Sequence, residues 1–150
     1  MKNFKKLTAV VLAAVLTIAM LTACTGGTSR EDRAINALNQ ARSQYGQSEL
    51  RHSEEADYYA QQLADDVARY NSKNGSFNEG SMQESLNALA ATMAEGQTFK
   101  AVRIFWNPDS LSVSDYTEQK NLYIVYTDAS IVGVGTGSTQ YSQFVVVVTY

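Results

Sequence analysis

Near its C-terminus the chain reads Phe144-Val145-Val146-Val147-Val148, five apolar residues in succession. A strand with one face in water alternates apolar and polar residues, whereas a strand covered on both faces is apolar throughout. The segment therefore predicts a central β-strand with helices packed on both of its sides.

Neighbouring segments predict partners for this strand. Residues 130–135 and 141–150 are rich in strand formers and are joined by five small or polar residues, a pattern typical of a β-hairpin. Residues 121–126 have the same apolar, strand-forming composition and predict a third strand. Residues 98–106 suit either a short helix or a strand, and propensity favours the strand. Residues 107–110 predict a turn, and the polar stretch to Gln119 predicts a loop with room for one helical turn.

Three helices are predicted ahead of the sheet. Apolar residues recur at three- and four-residue intervals over residues 29–45, 53–70 and 81–95. Capping boxes at Thr28-Ser29-Arg30-Glu31 and Ser81-Met82-Gln83-Glu84 predict the first and third helix starts, and Ser53 predicts the second.

Glycines 46 and 96 predict the ends of the first and third helices. Between the second and third helices, residues 71–80 predict a loop with Phe77 turned inward. The order of helices followed by strands predicts an α+β fold in three layers, with an antiparallel sheet of about three strands between helices.

The N-terminal segment predicts export. Three lysines precede an uncharged apolar run over residues 7–23, which is the layout of a secretory signal. The run is shorter than the roughly 20 apolar residues of a spanning helix, and a polar tether follows it.

Leu21-Thr22-Ala23-Cys24 resembles the lipobox of bacterial lipoproteins. The resemblance implies cleavage before Cys24, acylation of that residue with chains such as palmitate, and a lipid anchor facing outside the cytoplasm. The alternative is a plain signal peptide with a chance cysteine. We therefore expect a signal peptide over residues 1–23, a lipidated cysteine and flexible tether over 24–29, and a folded domain over 30–150.

Charge limits the partners of the mature domain. Loss of the three signal-peptide lysines leaves 9 basic against 15 acidic side chains, a net charge of −6. Nucleic acids need clustered basic residues, so we expect no nucleic-acid partner and membrane contact through the lipid alone.

Two stretches resemble the CAP, or SCP-like, superfamily of exported proteins. The first comprises Leu38-Asn39 through Tyr45-Gly46 with the helix stripe Tyr59 to Ala68, and the second is the Ile131-Val132-Gly133-Val134-Gly135 strand with its apolar partner. The resemblance implies an α-β-α sandwich, and it implies that residues 98–106 form a helix ending in Trp106.

The family's cleft usually holds two histidines and two acids, and some members bind zinc there. Glu84-Ser85-Leu86 is similar to the cleft Glu-Asn-Ile motif, and Lys120 and Tyr123 fall where a His-x-x-Asn motif is expected. Residues 71–74 lack the other histidine, and His52 matches neither position. The resemblance thus implies a divergent cleft near Glu84, Trp106, Lys120 and Tyr123.

The residue types present argue against a zinc site and against a pair of catalytic acids. One histidine and no free cysteine after lipidation cannot supply the ligands that zinc prefers, so we expect no metal and no cofactor. Neighbouring acids such as Asp65 and Asp66 point about 100° apart on a helix, which favours a solvated acidic face over paired catalytic acids.

Three functions remain open at the sequence level. The favoured hypothesis is a non-catalytic, lipid-anchored CAP-like domain of the bacterial envelope that binds a small ligand, an envelope polymer or a protein partner. The alternatives are a hydrolase that cleaves peptide or cell-wall glycan through Glu84 with other acids, and a purely structural envelope lipoprotein. Several tyrosines, at positions 58, 59, 123, 126 and 141, line a groove under the binding hypothesis and pack in the core or at the sheet edge otherwise.

Overall fold

A computed structural model describes residues 29–74, 78–93 and 98–150, with side chains from 71 to 74 omitted. The predicted signal peptide, Cys24, Phe77 and Gly96 lie outside the described residues. The helices are α1 (Arg30–Gln44), α2 (Glu54–Asn74), α3 (Glu79–Met93), α4 (Val113–Thr117) and α5 (Leu122–Val125), and the strands are β1 (Arg51–His52), β2 (Ala101–Trp106), β3 (Ile131–Ser138) and β4 (Gln143–Thr149). Short 3₁₀ turns occupy Pro108–Ser110 and Gln119–Asn121.

The four strands form one sheet in the order β1-β3-β4-β2. β4 pairs antiparallel with β3 and with β2, so the apolar run lies at the centre as predicted. The sheet has one strand more than expected, because the two residues of β1 pair in parallel with Ile131 and Val132 of β3. The α+β fold with helices on both sides of an essentially antiparallel sheet is confirmed.

Alternate residues of β4 enter two separate cores. Val145 and Val147 belong to a cluster built with α1, α4 and α5, while Phe144, Val146 and Val148 belong to one built with α2 and α3. All five are fully buried, and this explains why the segment has no polar residue.

Two glycines of β3 allow α2 to lie directly on the sheet. A Cβ atom at Gly133 would lie 2.1 Å from the carbonyl carbon of Ala56, and one at Gly135 would lie 2.4 Å from that of Ala60. Both distances are shorter than any non-bonded carbon contact, so these positions require glycine.

Side chains of α2 and α3 cover the open edges of the sheet. Beyond β1, the Asp57 carboxylate accepts the Val134 N–H, and the Gln61 amide both accepts from and donates to the Thr136 backbone at 2.9 Å. On the opposite edge, the Gln83 amide accepts the Ile104 N–H and donates to the Val102 carbonyl. These contacts satisfy backbone groups that an exposed edge would leave open.

The ends of α1 are defined by its flanking residues. The Ser29 hydroxyl accepts the Asp32 N–H, so Ser29, and not Thr28 as the predicted box requires, is the N-cap. Gly46 follows the helix with a φ of 69°, in the left-handed region, as the predicted stop requires.

The predicted capping box at Ser81 is wrong. α3 begins at Glu79, because the Asn78 side chain accepts the N–H groups of Gly80 and Ser81. Ser81 and Glu84 therefore lie within the helix. The loop predicted over residues 71–80 is correspondingly shorter, since α2 continues to Asn74.

Residues 98–106 form no helix. The structure has strand β2 over Ala101–Trp106, which agrees with strand propensity and not with the helix that the family resemblance implies.

The strand predicted over residues 121–126 is wrong. The segment forms a 3₁₀ turn and α5, because Ile124 and Val125 insert into the core while the buried Arg42 guanidinium binds the carbonyls of Val125 and Thr127.

Within the described residues, no helix combines the length and apolar character needed to cross a membrane.

Candidate functional site

The four residues predicted for a divergent cleft lie on four different elements: Glu84 on α3, Trp106 at the end of β2, Lys120 in the second 3₁₀ turn and Tyr123 on α5. Glu84 is exposed on α3, and Lys120 is exposed and pairs with Glu118 at 3.1 Å. Trp106 is half-buried against the Phe144 ring, with centroids 5.4 Å apart. Tyr123 is the one member of this set that lines the largely apolar concavity of the domain. A cleft shared by all four residues stays a prediction.

This concavity has a volume of about 400 Å³ and lies where α3, the approach to β2 and α5 meet. We call it the Phe99–Tyr123 concavity. Its lining residues are Asn87, Ala90, Ala91, Thr98, Phe99, Lys100, Ala101, Val102 and Tyr123. Space exists there because α3 presents two small alanines beside strand β2, where larger side chains would fill the groove.

Tyr123 forms the wall supplied by α5. Its hydroxyl donates a hydrogen bond of 2.8 Å to the Val102 carbonyl at the edge of β2. Burial raises the pKa of Tyr123, although the positive charge of nearby Arg103 acts in the opposite direction. The phenol therefore stays neutral near pH 7 and holds α5 against the strand.

Phe99 connects the concavity to a row of aromatic rings. Its ring centroid lies 5.1 Å from Tyr150 and 6.4 Å from Tyr59, and Tyr59 in turn lies 5.7 Å from Tyr58. Burial raises the pKa of Tyr150, whose hydroxyl has no hydrogen-bond partner among the described atoms. Of the five tyrosines considered for a groove, Tyr123 lines the concavity, and Tyr59 contacts Phe99 beside it.

Polar side chains mark the rim of the same concavity. Asn87 and Lys100 line it, and the Lys100 ammonium pairs with Asp128 at 3.2 Å. Lys100 keeps 45% of its side chain exposed, and Asp128 keeps 80%. An apolar floor with a few polar groups at the mouth is the usual arrangement of a small-molecule site.

Sequence reasoning misses most of this site. Phe99 lies in the segment 98–106, whose sequence suits either a helix or a strand. The sequence assigns Ala90 and Ala91 only to the helix over residues 81–95. The available signal is the run Ala88-Leu89-Ala90-Ala91 ahead of the aromatic-rich segment 99–106. Small residues on a helix that faces aromatic ones indicate space between two elements.

Several ionisable side chains in and next to α2 have local partners. His52 lies 2.6 Å from Asp57, whose second carboxylate oxygen holds the Val134 N–H. Asp65 accepts from Gln61, and Asp66 pairs with Arg69. Among the described residues, no three side chains of the types His, Cys, Asp and Glu gather into a metal-binding group.

Three further concavities have more polar linings. One lies between α1 and the start of α4, and another lies between residues 107–110 and 141–143. The third, of about 330 Å³, is lined by Arg30, Asp65, Ala68, Thr136, Gly137, Ser138 and Gln143. Neither Glu84 nor Lys120 lines any of these three or the Phe99–Tyr123 concavity.

Comparison with protein-family models supports the resemblance in sequence. The model of the cysteine-rich secretory protein family, CAP, matches residues 35–150. Among solved structures, an outer surface protein from Borrelia burgdorferi is similar to the chain, with 12% sequence identity and a TM-score of 0.46. That match covers 77% of this chain and 87% of the other. The search of curated proteins finds no match.

Proposed function

Since the chain belongs to the CAP family of cysteine-rich secretory proteins, we propose that it is an extracytoplasmic, lipid-anchored domain that binds a small, mainly apolar ligand. The observation that carries this proposal is the Phe99–Tyr123 concavity. Its volume of about 400 Å³ lies within the roughly 300–1,000 Å³ common for ligand pockets. The ligand's apolar part would contact Ala90, Ala91 and Phe99, while Asn87 and Lys100 would meet a polar group at the mouth.

Binding without bond cleavage is supported by what surrounds the concavity. Its lining contains one lysine and one tyrosine but, among the described residues, no acid and no histidine. The hydrolase alternative needs a second acid beside Glu84, whereas Asp65 and Asp66 lie on another helix and have partners of their own. The geometry thus favours recognition over catalysis.

The ligand site is tested by filling it. Ala91 is exposed and lines the concavity, so Ala91→Trp places an indole in the groove without disturbing the core. We expect the affinity for the probe 1-anilinonaphthalene-8-sulfonate, which has apolar rings and one sulfonate, to fall at least about tenfold, or about 1.4 kcal/mol, in fluorescence titration.

Ala88→Trp is the matched control, because Ala88 is exposed on the same helix and does not line the concavity. It should bind the probe like the unmodified protein. Equal affinities for the two tryptophan variants, or no saturable binding to the unmodified protein, would contradict the site.

The anchor rests on the lipobox-like sequence before Cys24. Two or three acyl chains, at about 0.8 kcal/mol per buried methylene, hold a protein stably on a membrane. Cys24→Ser should move the protein from the membrane fraction to the soluble fraction and remove the lipid mass from the intact protein. Thr25→Ser leaves the thiol in place and should change neither result. A membrane-bound Cys24→Ser protein would refute lipid anchoring.

A further inference from the structure

The domain has two distinct ends. At one end, Arg30 at the start of α1 bonds to Asp109 at 2.9 Å and lines a concavity with Ser138 and Gln143 of the β3–β4 hairpin. At the other end, Tyr45 after α1 packs on Tyr126 after α5, with ring centroids 5.3 Å apart. We call the first the tethered end and define it as residues 29–33, 107–110 and 138–143.

The Phe99–Tyr123 concavity lies toward the opposite end. Tyr123 shares α5 with Val125, whose carbonyl is bound by Arg42 in the last turn of α1. Arg42 follows Arg30 by 12 residues, which places it about 18 Å away along the helix axis at about 1.5 Å per residue. The ligand site and the attachment point of the tether are therefore separated by most of the length of the domain.

The connection from Cys24 to the folded domain is short. Five residues, 24–28, precede Ser29, and a fully extended chain of that length reaches about 17 Å. With Cys24 acylated in the bilayer, Ser29 stays within that distance of the lipid headgroups. The tethered end is thus the part of the domain held nearest to the membrane.

The chemistry of the tethered end suits a headgroup layer. Tyr141 of the hairpin turn keeps 63% of its surface exposed, and tyrosine rings favour the level of lipid headgroups. The concavity of about 330 Å³ beside it is lined by a cation, Arg30, and an anion, Asp65, together with hydroxyl and amide groups. Arg30 is paired with Asp109 and Asp65 accepts from Gln61, so the concavity is polar and carries charges of both signs, which suits a zwitterionic headgroup with its phosphate and ammonium.

We propose that the tethered end, with Tyr141 at its tip, rests on the zwitterionic headgroups of the bilayer and turns the Phe99–Tyr123 concavity away from the membrane. The proposal rests on the lipid anchor of the proposed function. It adds a membrane-contacting face and a direction for ligand capture, from the side remote from the bilayer. The lipid at Cys24 supplies attachment, and the hairpin supplies orientation.

Site-specific quenching tests this orientation. Tyr141→Cys and Tyr126→Cys each place one thiol at an exposed tyrosine, 63% and 51% accessible, at opposite ends of the domain. Each lipidated full-length variant is labelled with a nitrobenzoxadiazole fluorophore and reconstituted in phosphatidylcholine vesicles that contain nitroxide-headgroup lipid. We expect quenching at position 141 to exceed that at position 126 by at least about threefold.

Two results would overturn the proposal in different ways. Equal quenching at both positions, or stronger quenching at position 126, in a protein whose intact mass includes the lipid overturns the orientation and leaves the anchor standing. An intact mass without lipid overturns the anchor and the orientation together. Thermal unfolding of both labelled variants within about 3 °C of the unmodified protein shows that each is folded.

Discussion

Single glycines fix how closely α2 approaches the sheet. Gly133 and Gly135 face the backbone of Ala56 and Ala60 at distances that no Cβ atom can occupy. The stretch Val132-Gly133-Val134-Gly135, which resembles the family's strand, therefore has a packing cause in this chain. It brings α2 near enough for Asp57 and Gln61 to reach the backbone of β3.

Gly135→Ala should destabilise the domain by at least about 2 kcal/mol, because the added methyl forces α2 away from β3 in a tightly packed core. Urea unfolding measures the free energy of unfolding directly. Gly80→Ala is the control, since its Cβ would meet the Asn78 side chain at 3.2 Å near the exposed start of α3. We expect a change of less than about 1 kcal/mol there. Similar losses in both variants would refute the packing argument.

Arg42 shows the limit of reading single residues from a sequence. It is almost completely buried, and its guanidinium donates to the carbonyls of Ser48, Val125 and Thr127. Desolvation lowers the pKa of Arg42, although the group remains charged because an arginine titrates far above neutrality. Arginines are mostly exposed in folded proteins, whereas Arg42 is buried in the last turn of α1 and anchors the segment that contains α5.

At the scale of elements, helix side chains complete the hydrogen bonding of the sheet. Gln61 and Gln83 each place a side-chain amide where a further strand would put its backbone. A glutamine amide presents its C=O acceptor and its NH₂ donor side by side, as a strand residue presents its own C=O and N–H. The domain thereby closes both sheet edges with residues that sequence patterns assign to the polar faces of helices.

Gln61→Met keeps the length of the side chain and leaves the N–H and C=O of Thr136 unpaired. We expect a loss of about 1–3 kcal/mol in the free energy of unfolding, the usual cost of unsatisfied backbone groups. Gln62→Met removes one exposed contact with the Tyr58 hydroxyl and should cost less than about 0.5 kcal/mol. Hydrogen exchange at Thr136 should accelerate in the first variant alone. Unchanged exchange in Gln61→Met would contradict the edge-covering role.

The misassigned segment 121–126 shows why local composition fails for short elements. Its residues favour strands, yet the buried Asn121 side chain donates to the Asp115 carbonyl and Tyr123 reaches back to the edge of β2. Contacts with residues distant in sequence outweigh strand propensity, which spans only about 1 kcal/mol. Strand β2 already provides the third long strand of the sheet. Residues 122–125 instead form α5, which packs against α1.

At the scale of the whole molecule, the described residues form a CAP fold without the donor set of a metal site. Zn²⁺ at about 100 µM should change the melting temperature by less than about 1 °C. A site with a Kd of about 1 µM would instead stabilise the fold by about 2.7 kcal/mol, and such a gain raises the melting temperature by several degrees. A saturable rise of that size in differential scanning calorimetry would contradict the prediction, and the chelator EDTA would then reverse it.

The sequence alone determined the layers of this protein, the central place of β4, the β3–β4 hairpin and the family. These features follow from apolar periodicity and from short-range turns, which a linear pattern records. The tertiary structure decided the identity of β2, the helical form of α5 and the position of the Phe99–Tyr123 concavity. The concavity arises where Ala90 and Ala91 of one helix face Phe99 and Tyr123 from later segments, and such space between elements exists only once the chain has folded.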